Sequence, residues 1–326
     1  MLTGIAPRVD KDSRHQHPLL TTVLIVVCLL AGCASKRPQE PMADCPDIAA
    51  TGQLNVLVLN TLYDAPAAVR KKSWTDVAAF AAANNVHVLL LQEAVLSGVD
   101  RIQQLLGTSD SARDLQRVLN ERSSEPYEFR VAWETGVPLV LTTANAILSR
   151  CNITRHFAAF LPIESEEVFE GIELKITRNV QVVQLSLPGY GTLHIYNTHL
   201  CSNCSGECLQ RQVDAILAFM QQVEGKAPGN HILFGGDFNL DLAKGPAEQA
   251  VYGTITRAGF QDVYAEYRRV QFGDALNSLC WNGTPDIDCT DGASPIQGII
   301  TSQTGGNVST PKRIDYLFLG DRLDQK

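Results

Sequence analysis

Short apolar runs that end in polar residues recur along this chain, and each run predicts a buried β-strand. The polar residues that these runs deliver are Asn60 after Leu54–Leu59, Glu93 after Val86–Leu91, His199 near the end of Gly191–Leu200, Asp237 and Asn239 after His231–Phe234, and Asp315 within Arg313–Leu319. Segments 207–223 and 247–258 predict helices between the strands. Polar side chains at the ends of apolar strands are typical of a site built on the rim of a sheet.

The most informative stretch is Gly235-Gly236-Asp237-Phe238-Asn239, directly after the predicted strand His231–Phe234. The two glycines predict a tight turn at the strand end and a close approach by a ligand. Asp237 and Asn239 are two residues apart, so extended backbone points both side chains the same way. Such a pair suits phosphate chemistry, because the carboxylate can orient and deprotonate a water while the carboxamide donates to a phosphoryl oxygen. The alternative is a polar turn in which Asp237 only caps the backbone.

Six motifs follow one another along the chain: LNVLVLNTL, LLLQE, NAILSR, NTHL, GGDFN and RIDYLFL. In this order they resemble the endonuclease/exonuclease/phosphatase superfamily, which includes deoxyribonuclease I, the abasic-site endonucleases, neutral sphingomyelinases and inositol-polyphosphate 5-phosphatases. The resemblance covers Leu54 to Leu319, and six ordered motifs are far more specific than any one of them. It implies an α/β four-layer sandwich, with two mixed β-sheets packed face to face and helices outside.

The resemblance also implies a metal side of the site. Glu93 is similar to the family's Mg²⁺ ligand, and Asn60 to its neighbour on the metal side; Mn²⁺ is the alternative ion. Hydrolysis of a phosphate ester places negative charge on the phosphoryl and leaving oxygens, and a Mg²⁺ held by a carboxylate and waters stabilises that charge.

On the catalytic side, His199 resembles the histidine that contacts the scissile phosphate. Asp237 is similar to the residue that activates the attacking water, with Asn239 beside it. Asp315 resembles a buried aspartate that braces a catalytic histidine, and Arg150, at the end of NAILSR, is expected to face substrate phosphate.

The implied activity is Mg²⁺-dependent hydrolysis of a phosphodiester or phosphomonoester, but one family element is missing. Family members carry a Ser-Asp-His segment after the RIDYLFL motif, and none stands between Phe318 and Lys326. We expect a C-terminally truncated version of an active enzyme. The alternative is a catalytically inactive, lipid-anchored binding protein that keeps the fold. The coding sequence beyond Lys326 distinguishes the two.

Composition narrows the substrate only slightly. The chain has 326 residues, 45% of them hydrophobic and 19% charged, which suits one large α/β domain over residues 54–326. Its formal net charge is −8, and no basic stripe that would grip a nucleic-acid backbone is visible. Nucleic acid, phospholipid and soluble phosphate esters all stay open as substrates, with a slight preference for lipid over DNA. No segment indicates a protein partner.

The N-terminus reads as a targeting segment. Basic residues precede the apolar run Leu19–Leu30, which is too short for a membrane span and has the length of a signal-peptide core. Leu30-Ala31-Gly32-Cys33 resembles a bacterial lipobox, so residues 1–33 are expected to be a signal peptide ending at a lipidated Cys33. Ala34 then implies an exported outer-membrane lipoprotein, periplasmic or surface-facing, and residues 34–53 a flexible tether. The alternatives are a plain signal peptide and an uncleaved anchor.

Seven cysteines follow Cys33, and an exported chain is expected to hold them in disulfides. Cys280 and Cys289 flank a loop that a bridge would close. Cys201, Cys204 and Cys208 have a spacing that also suits zinc, but the compartment favours disulfides, and connectivity stays open.

Overall fold

The structure is a computed structural model, and it describes residues 45–61, 67–96, 111–137, 141–169, 172–202, 204–272 and 314–321. The predicted signal segment 1–33, residues 34–44 of the predicted tether, and the loop with Cys280 and Cys289 lie outside the described residues. In the described part, no helix is both long and apolar enough to span a membrane.

The first sheet, sheet A, has four strands in the order β1-β2-β4-β3. Its strands are β1 (Val56–Asn60), β2 (Val88–Leu96), β3 (Glu128–Val137) and β4 (Leu141–Ser149). β1 and β2 are parallel, whereas β4 is antiparallel to both of its neighbours. Sheet A is therefore mixed.

The second sheet, sheet B, has six strands in the order β5-β6-β7-β8-β10-β9. Its strands are β5 (Ile153–Phe169), β6 (Ile172–Leu187), β7 (Gly191–His199), β8 (His231–Asp237), β9 (Phe260–Asp262) and β10 (Asp315–Asp321). Among the described strands of sheet B, β7 and β8 pair in parallel and the other pairs are antiparallel, so this sheet is mixed as well.

Helices pack against both sheets. They are α1 (Pro46–Thr51), α2 (Ala67–Ala83), α3 (Ser111–Asn120), α4 (Gly206–Lys226), α5 (Pro246–Arg257) and α6 (Val263–Phe272), with a 3₁₀ turn at Leu242–Lys244. One core packs α2 and α3 against sheet A, and a second packs α4 and α5 against sheet B. A third core lies between the sheets. The predicted four-layer α/β sandwich is confirmed.

Alternation along the strands sorts their side chains between these cores. In β2, Leu89 and Leu91 pack toward the helices, whereas Val88 and Leu90 pack between the sheets. In β8, Phe234 packs against helices and its neighbour Leu233 between the sheets. Strands buried on both faces are apolar throughout, which explains why these runs were recognisable in the sequence.

The N-terminal part of the fold begins earlier than predicted. Residues 45–53, assigned to the flexible tether, contain the helix α1, and Cys45 forms a disulfide with Cys151 after β4. Cys45 and Ile48 are buried in the core between the sheets. The Pro-rich composition that indicated a tether is compatible with α1 because Pro46 occupies its first turn.

The two glycines of GGDFN do not form the predicted turn, because β8 continues through them to Asp237. A Cβ atom at Gly235 would lie 2.8 Å from Leu90 of the facing sheet and 2.8 Å from Leu317 of β10. At Gly236, where φ is 142°, it would collide with the Thr198 carbonyl of β7. The glycines therefore allow strands and sheets to approach closely beneath the site.

Candidate functional site

The strand faces that line the core between the sheets end together at one rim. Val56 and Val58 face this core and are followed at the same spacing by Asn60 in β1. Leu193 and Ile195 do the same in β7, which ends at His199. Period-2 geometry therefore carries the polar end residues to the inner rim.

Three of the predicted residues form a row across sheet B. His199 of β7 pairs with Asp237 of β8, and Asp237 pairs with Asp315 of β10. Residues paired directly across neighbouring strands project from the same face of a sheet. Asp315 thus lies beside Asp237 on the rim.

Glu93 joins this rim because β2 is irregular. The pairing of β2 with β4 shifts between Leu91 and Ala94, and Glu93 has a φ of 54°. Strict alternation would point Glu93 and Gln92 to opposite faces, but a left-handed residue in a bulge re-aims its side chain. A non-glycine residue with positive φ costs free energy and is concentrated at functional sites.

Asn60 donates hydrogen bonds to two of the carboxylates at the rim. Its amide nitrogen Nδ2 donates to Oε1 of Glu93 at 3.0 Å and to Oδ2 of Asp237 at 3.1 Å. The Nε2 atom of His199 lies 3.9 Å from each of the same two oxygens. The structure thus brings Asn60, Glu93, His199 and Asp237 together, although sequence separations reach 177 residues.

Two further charged residues lie behind His199, and the sequence pattern gave no signal for either. Nη1 of Arg178 contacts Nδ1 of His199 at 2.8 Å. Oε2 of Glu134 lies 3.7 Å from Nη1 of Arg178, and its Oε1 lies 3.7 Å from the same His199 nitrogen. All three side chains are at most 4% exposed. Each of the two residues shares its strand with other charged residues, so local pattern did not single out either one.

The sequence profile described as "Endonuclease/Exonuclease/phosphatase family" matches residues 52–324. The chain belongs to the endonuclease/exonuclease/phosphatase family. No curated protein sequence matches it.

Solved structures share the fold. An endonuclease/exonuclease/phosphatase family protein from Leptotrichia buccalis C-1013-b has a TM-score of 0.52 and 16% identity, covering 82% of this chain and 87% of its own. The mannosyl-6-phosphatase of Bacteroides thetaiotaomicron VPI-5482 has a TM-score of 0.51 and 16% identity, covering 82% and 85%. A family member from Beutenbergia cavernae DSM 12333 has a TM-score of 0.51 and 18% identity, covering 82% and 64%. At these identities the likeness shows the fold alone.

In the present chain, both carboxylate oxygens of Asp237 accept hydrogen bonds. Oδ2 accepts from Asn60, while Oδ1 accepts from the backbone N–H of Asn239 at 2.9 Å. The second contact is the Asx cap that the sequence analysis gave as the alternative role of Asp237. Asp237 therefore caps the backbone and also lies at the rim.

The backbone at Asn239 differs from the extended conformation that the sequence predicted. It has a φ of 47°, and its Nδ2 donates to the carbonyl of Leu200 at 2.8 Å. The backbone after Asp237 is thus not extended, and period-2 geometry does not apply there. In this structure Asn239 links the ends of β7 and β8.

The structure does not bring Arg150 to the rim, and its predicted role is corrected. Arg150 follows β4 at the end where Ser149 pairs with Val88, the first residue of β2, whereas Glu93 lies toward the other end of β2. Its Nη2 contacts Oδ2 of Asp47 at 3.1 Å and Oδ1 of Asn85 at 2.8 Å. Asp47 lies in α1, whose position the sequence did not indicate, so this partner could not be foreseen.

Buried amides form the floor beneath the rim. Nε2 of Gln92 donates to Oδ1 of Asn197 at 2.7 Å, and Nδ2 of Asn197 donates to the carbonyls of Leu91 and Ala146 at 3.0 and 3.1 Å. Gln92 and Asn197 are completely buried. These hydrogen bonds join elements across the core, although Oε1 of Gln92 has no partner among the described residues. Here the network ties sheet B to sheet A directly below His199 and Glu93.

The donor set at the rim fits a hard divalent cation. Mg²⁺ is held in proteins by one or two carboxylates and by waters. Glu93 and Asp237 supply two carboxylates that converge on one amide nitrogen, and the Glu93 side chain is 17% exposed, which leaves it open to water. Two converging negative charges attract a cation.

Three cysteines lie directly after the rim. The sulfurs of Cys201, Cys204 and Cys208 are all within 4.8 Å of one another, and Cys204 is at bonding distance from both others. Because one sulfur forms only one disulfide, Cys204 can pair with Cys201 or with Cys208 but not with both. Either pairing would stiffen the chain next to His199.

Proposed function

We propose that this protein is a Mg²⁺-dependent phosphoesterase that hydrolyses a phosphodiester or phosphomonoester. Family membership supports phosphoesterase or nuclease chemistry in general. The observation that carries the proposal is the convergence of Asn60, Glu93, His199 and Asp237 on one rim between the two sheets.

The chain's own residues have defined tasks in this proposal. The Asp237 carboxylate, held by Asn60 and by the backbone of Asn239, orients the attacking water and accepts its proton. His199, whose Nε2 faces the gap between the carboxylates, contacts the phosphoryl oxygens. Asp315, in register with Asp237, adds negative charge on the same face.

Glu93 and Asn60 would hold the cation, with Asp237 close by. A bound Mg²⁺ supplies positive charge that stabilises the developing charge on phosphate oxygens. Mn²⁺ prefers the same oxygen donors and is the alternative.

The substrate class is proposed from the net charge of the chain and from one of the similar structures. Phospholipid is favoured over DNA because the chain carries a net charge of −8, which does not favour a polyanion. The mannosyl-6-phosphatase among the similar structures makes a soluble sugar phosphate a second candidate.

A substrate panel tests the proposal. The purified protein is assayed with bis(p-nitrophenyl) phosphate, p-nitrophenyl phosphate, mannose 6-phosphate, sphingomyelin vesicles and duplex DNA, with Mg²⁺ or with a chelator. We expect Mg²⁺-dependent release of product from at least one substrate, and lipid above DNA. Turnover that survives chelation would contradict the metal requirement. Absence of turnover on every substrate would favour the inactive binding protein.

We further propose that the protein is exported and anchored through a lipidated Cys33. The apolar run and lipobox-like sequence before Cys33 support this. Incorporation of labelled palmitate in bacterial cells, abolished by Cys33→Ser, is the expected result. Labelling that survives Cys33→Ser would refute the assignment.

A further inference from the structure

We propose that Arg178 and Glu134 are positioning residues that hold the His199 ring with its proton on Nε2. His199 would then donate a hydrogen bond into the site rather than accept a proton there. The catalytic consequence rests on the proposed function, but the state of the ring can be measured without any activity.

The contact between Arg178 and His199 fixes the direction of one hydrogen bond. Nη1 of Arg178 lies 2.8 Å from Nδ1 of His199. A guanidinium group carries only donors, so Nδ1 must be the acceptor. In a neutral imidazole one nitrogen accepts and the other carries the proton. The proton of His199 is therefore on Nε2.

Nε2 is also the nitrogen that faces the site. It lies 3.9 Å from Oε1 of Glu93 and 3.9 Å from Oδ2 of Asp237. An N–H group aimed between these carboxylates presents a donor where a phosphoryl oxygen would bind. Donors fixed before the reaction stabilise charge that develops on oxygen in the transition state.

Glu134 provides the alternative partner for the His199 ring. Its carboxylate lies 3.7 Å from Nη1 of Arg178, so it balances the charge of the buried guanidinium. Its Oε1 lies 3.7 Å from Nδ1 of His199 and accepts no hydrogen bond from the described residues. Without Arg178, this oxygen would be the nearest partner for a proton on Nδ1. Arg178 thus decides between two tautomers that would otherwise compete.

The charged groups that face His199 come from four strands. They are Glu93 of β2, Glu134 of β3, Arg178 of β6 and Asp237 of β8. Of these groups, Arg178 is the one within hydrogen-bond distance of Nδ1, so its removal should change the tautomer.

The decisive experiment reads the ring nitrogens by long-range ¹H–¹⁵N correlation NMR on the full chain. In the wild type we expect His199 to carry its proton on Nε2. His87 is an internal reference, because its Nδ1 accepts from the N–H of Asn55 at 3.0 Å and its Nε2 faces Asp47 at 2.9 Å. In Arg178→Met, the His199 proton should move to Nδ1, while His87 keeps its pattern. A wild-type proton on Nδ1, or no change in Arg178→Met, would overturn the proposal.

Kinetics and further variants exclude a merely structural role. Arg178→Met should lower kcat by about 10²-fold or more with little change in KM. Arg178→Lys restores a donor and should recover part of kcat and the wild-type tautomer. Arg178→Met combined with Glu134→Gln removes the unpaired buried carboxylate, so it should fold if Arg178→Met alone does not. A double variant that folds but keeps the wild-type kcat would also overturn the proposal.

Discussion

Single residues at the rim acquire their positions from the strand face on which they lie. Asp237 continues the inward face of β8, as Asn60 does in β1, and the two meet in one hydrogen bond. Because Asp237 also accepts from the backbone of Asn239, substitution can separate a catalytic task from a structural one.

Replacing Asp237 by Asn should abolish most activity and leave the fold intact. The substitution preserves shape but removes the charge that orients and deprotonates water, so we expect kcat to fall by about 10²–10⁴-fold. The free energy of unfolding should fall by only about 1 kcal/mol, as expected for a weakened cap. Turnover assays beside thermal melts measure both. Asp214→Asn, on the exposed side of α4, is the matched control and should change neither. Full activity in Asp237→Asn would remove this residue from the mechanism.

Gly236 tests whether close approach of the strands holds the rim together. Gly236 and Gly245 have nearly the same φ, 142° and 141°, but only Gly236 has a backbone carbonyl, that of Thr198, in the space of a Cβ atom. At Gly245, no atom of the described residues lies within 4 Å of a Cβ atom. Alanine at either site strains the backbone equally, so their difference reports the collision alone. In urea unfolding, Gly236→Ala should cost about 1–3 kcal/mol more than Gly245→Ala. Equal losses would show that the Thr198 carbonyl does not collide with a side chain at position 236.

At the scale of elements, β7 is held on both faces. Its inward face carries Asn197 and His199, while its outward face carries His194 and Tyr196, which contact Glu224 of α4 at 2.5 and 2.8 Å. Burial raises the pKa of Glu224, but hydrogen bonds from His194, Gly229 and Tyr196 outweigh it and lower the pKa below 4.5. Burial and the adjacent carboxylate raise the pKa of the Tyr196 hydroxyl. This buried cluster anchors α4 to the strand that presents His199.

Replacing Glu224 by Gln should therefore make stability less dependent on pH. The ordinary carboxyl pKa is 4.5, and a pKa lowered in the folded state adds stability that is complete above that value and lost as the pH falls through the folded value. We expect the variant to lose about 2–3 kcal/mol at neutral pH, and the difference from wild type to shrink below about pH 4.5. Urea unfolding at a series of pH values measures this. Glu207→Gln, an exposed residue of the same helix, is the control. A difference that does not change with pH would refute the assignment.

At the scale of the whole molecule, the sequence predicted the strands and most of the rim. Asn60, His199 and Asp237 could be placed because alternation alone carries a strand end to a known face. Glu93 was recognised, but its orientation depends on a bulge that no local pattern marks. The predicted direction of the Asn239 side chain assumed extended backbone, which ends at Asp237.

Long-range pairings account for what sequence reasoning missed. Arg150 bonds to Asp47, which is 103 residues away. Arg178 and His199 lie in one sheet, and both contact Glu134 of the other sheet. Local pattern reports which face a residue occupies, whereas the partner across the core depends on the packing of whole layers. Buried charged residues within strands are therefore the positions where sequence reasoning needs the structure.

The central claim is that the rim residues bind a divalent cation and hydrolyse a phosphate ester. The most direct measurement titrates Mg²⁺ against hydrolysis of the best substrate of the panel by wild type, Glu93→Gln and the exposed control Glu121→Gln. We expect saturable Mg²⁺ activation in wild type and control, and loss of that activation in Glu93→Gln with an unchanged melting temperature. Undiminished, Mg²⁺-activated turnover in Glu93→Gln would contradict the account.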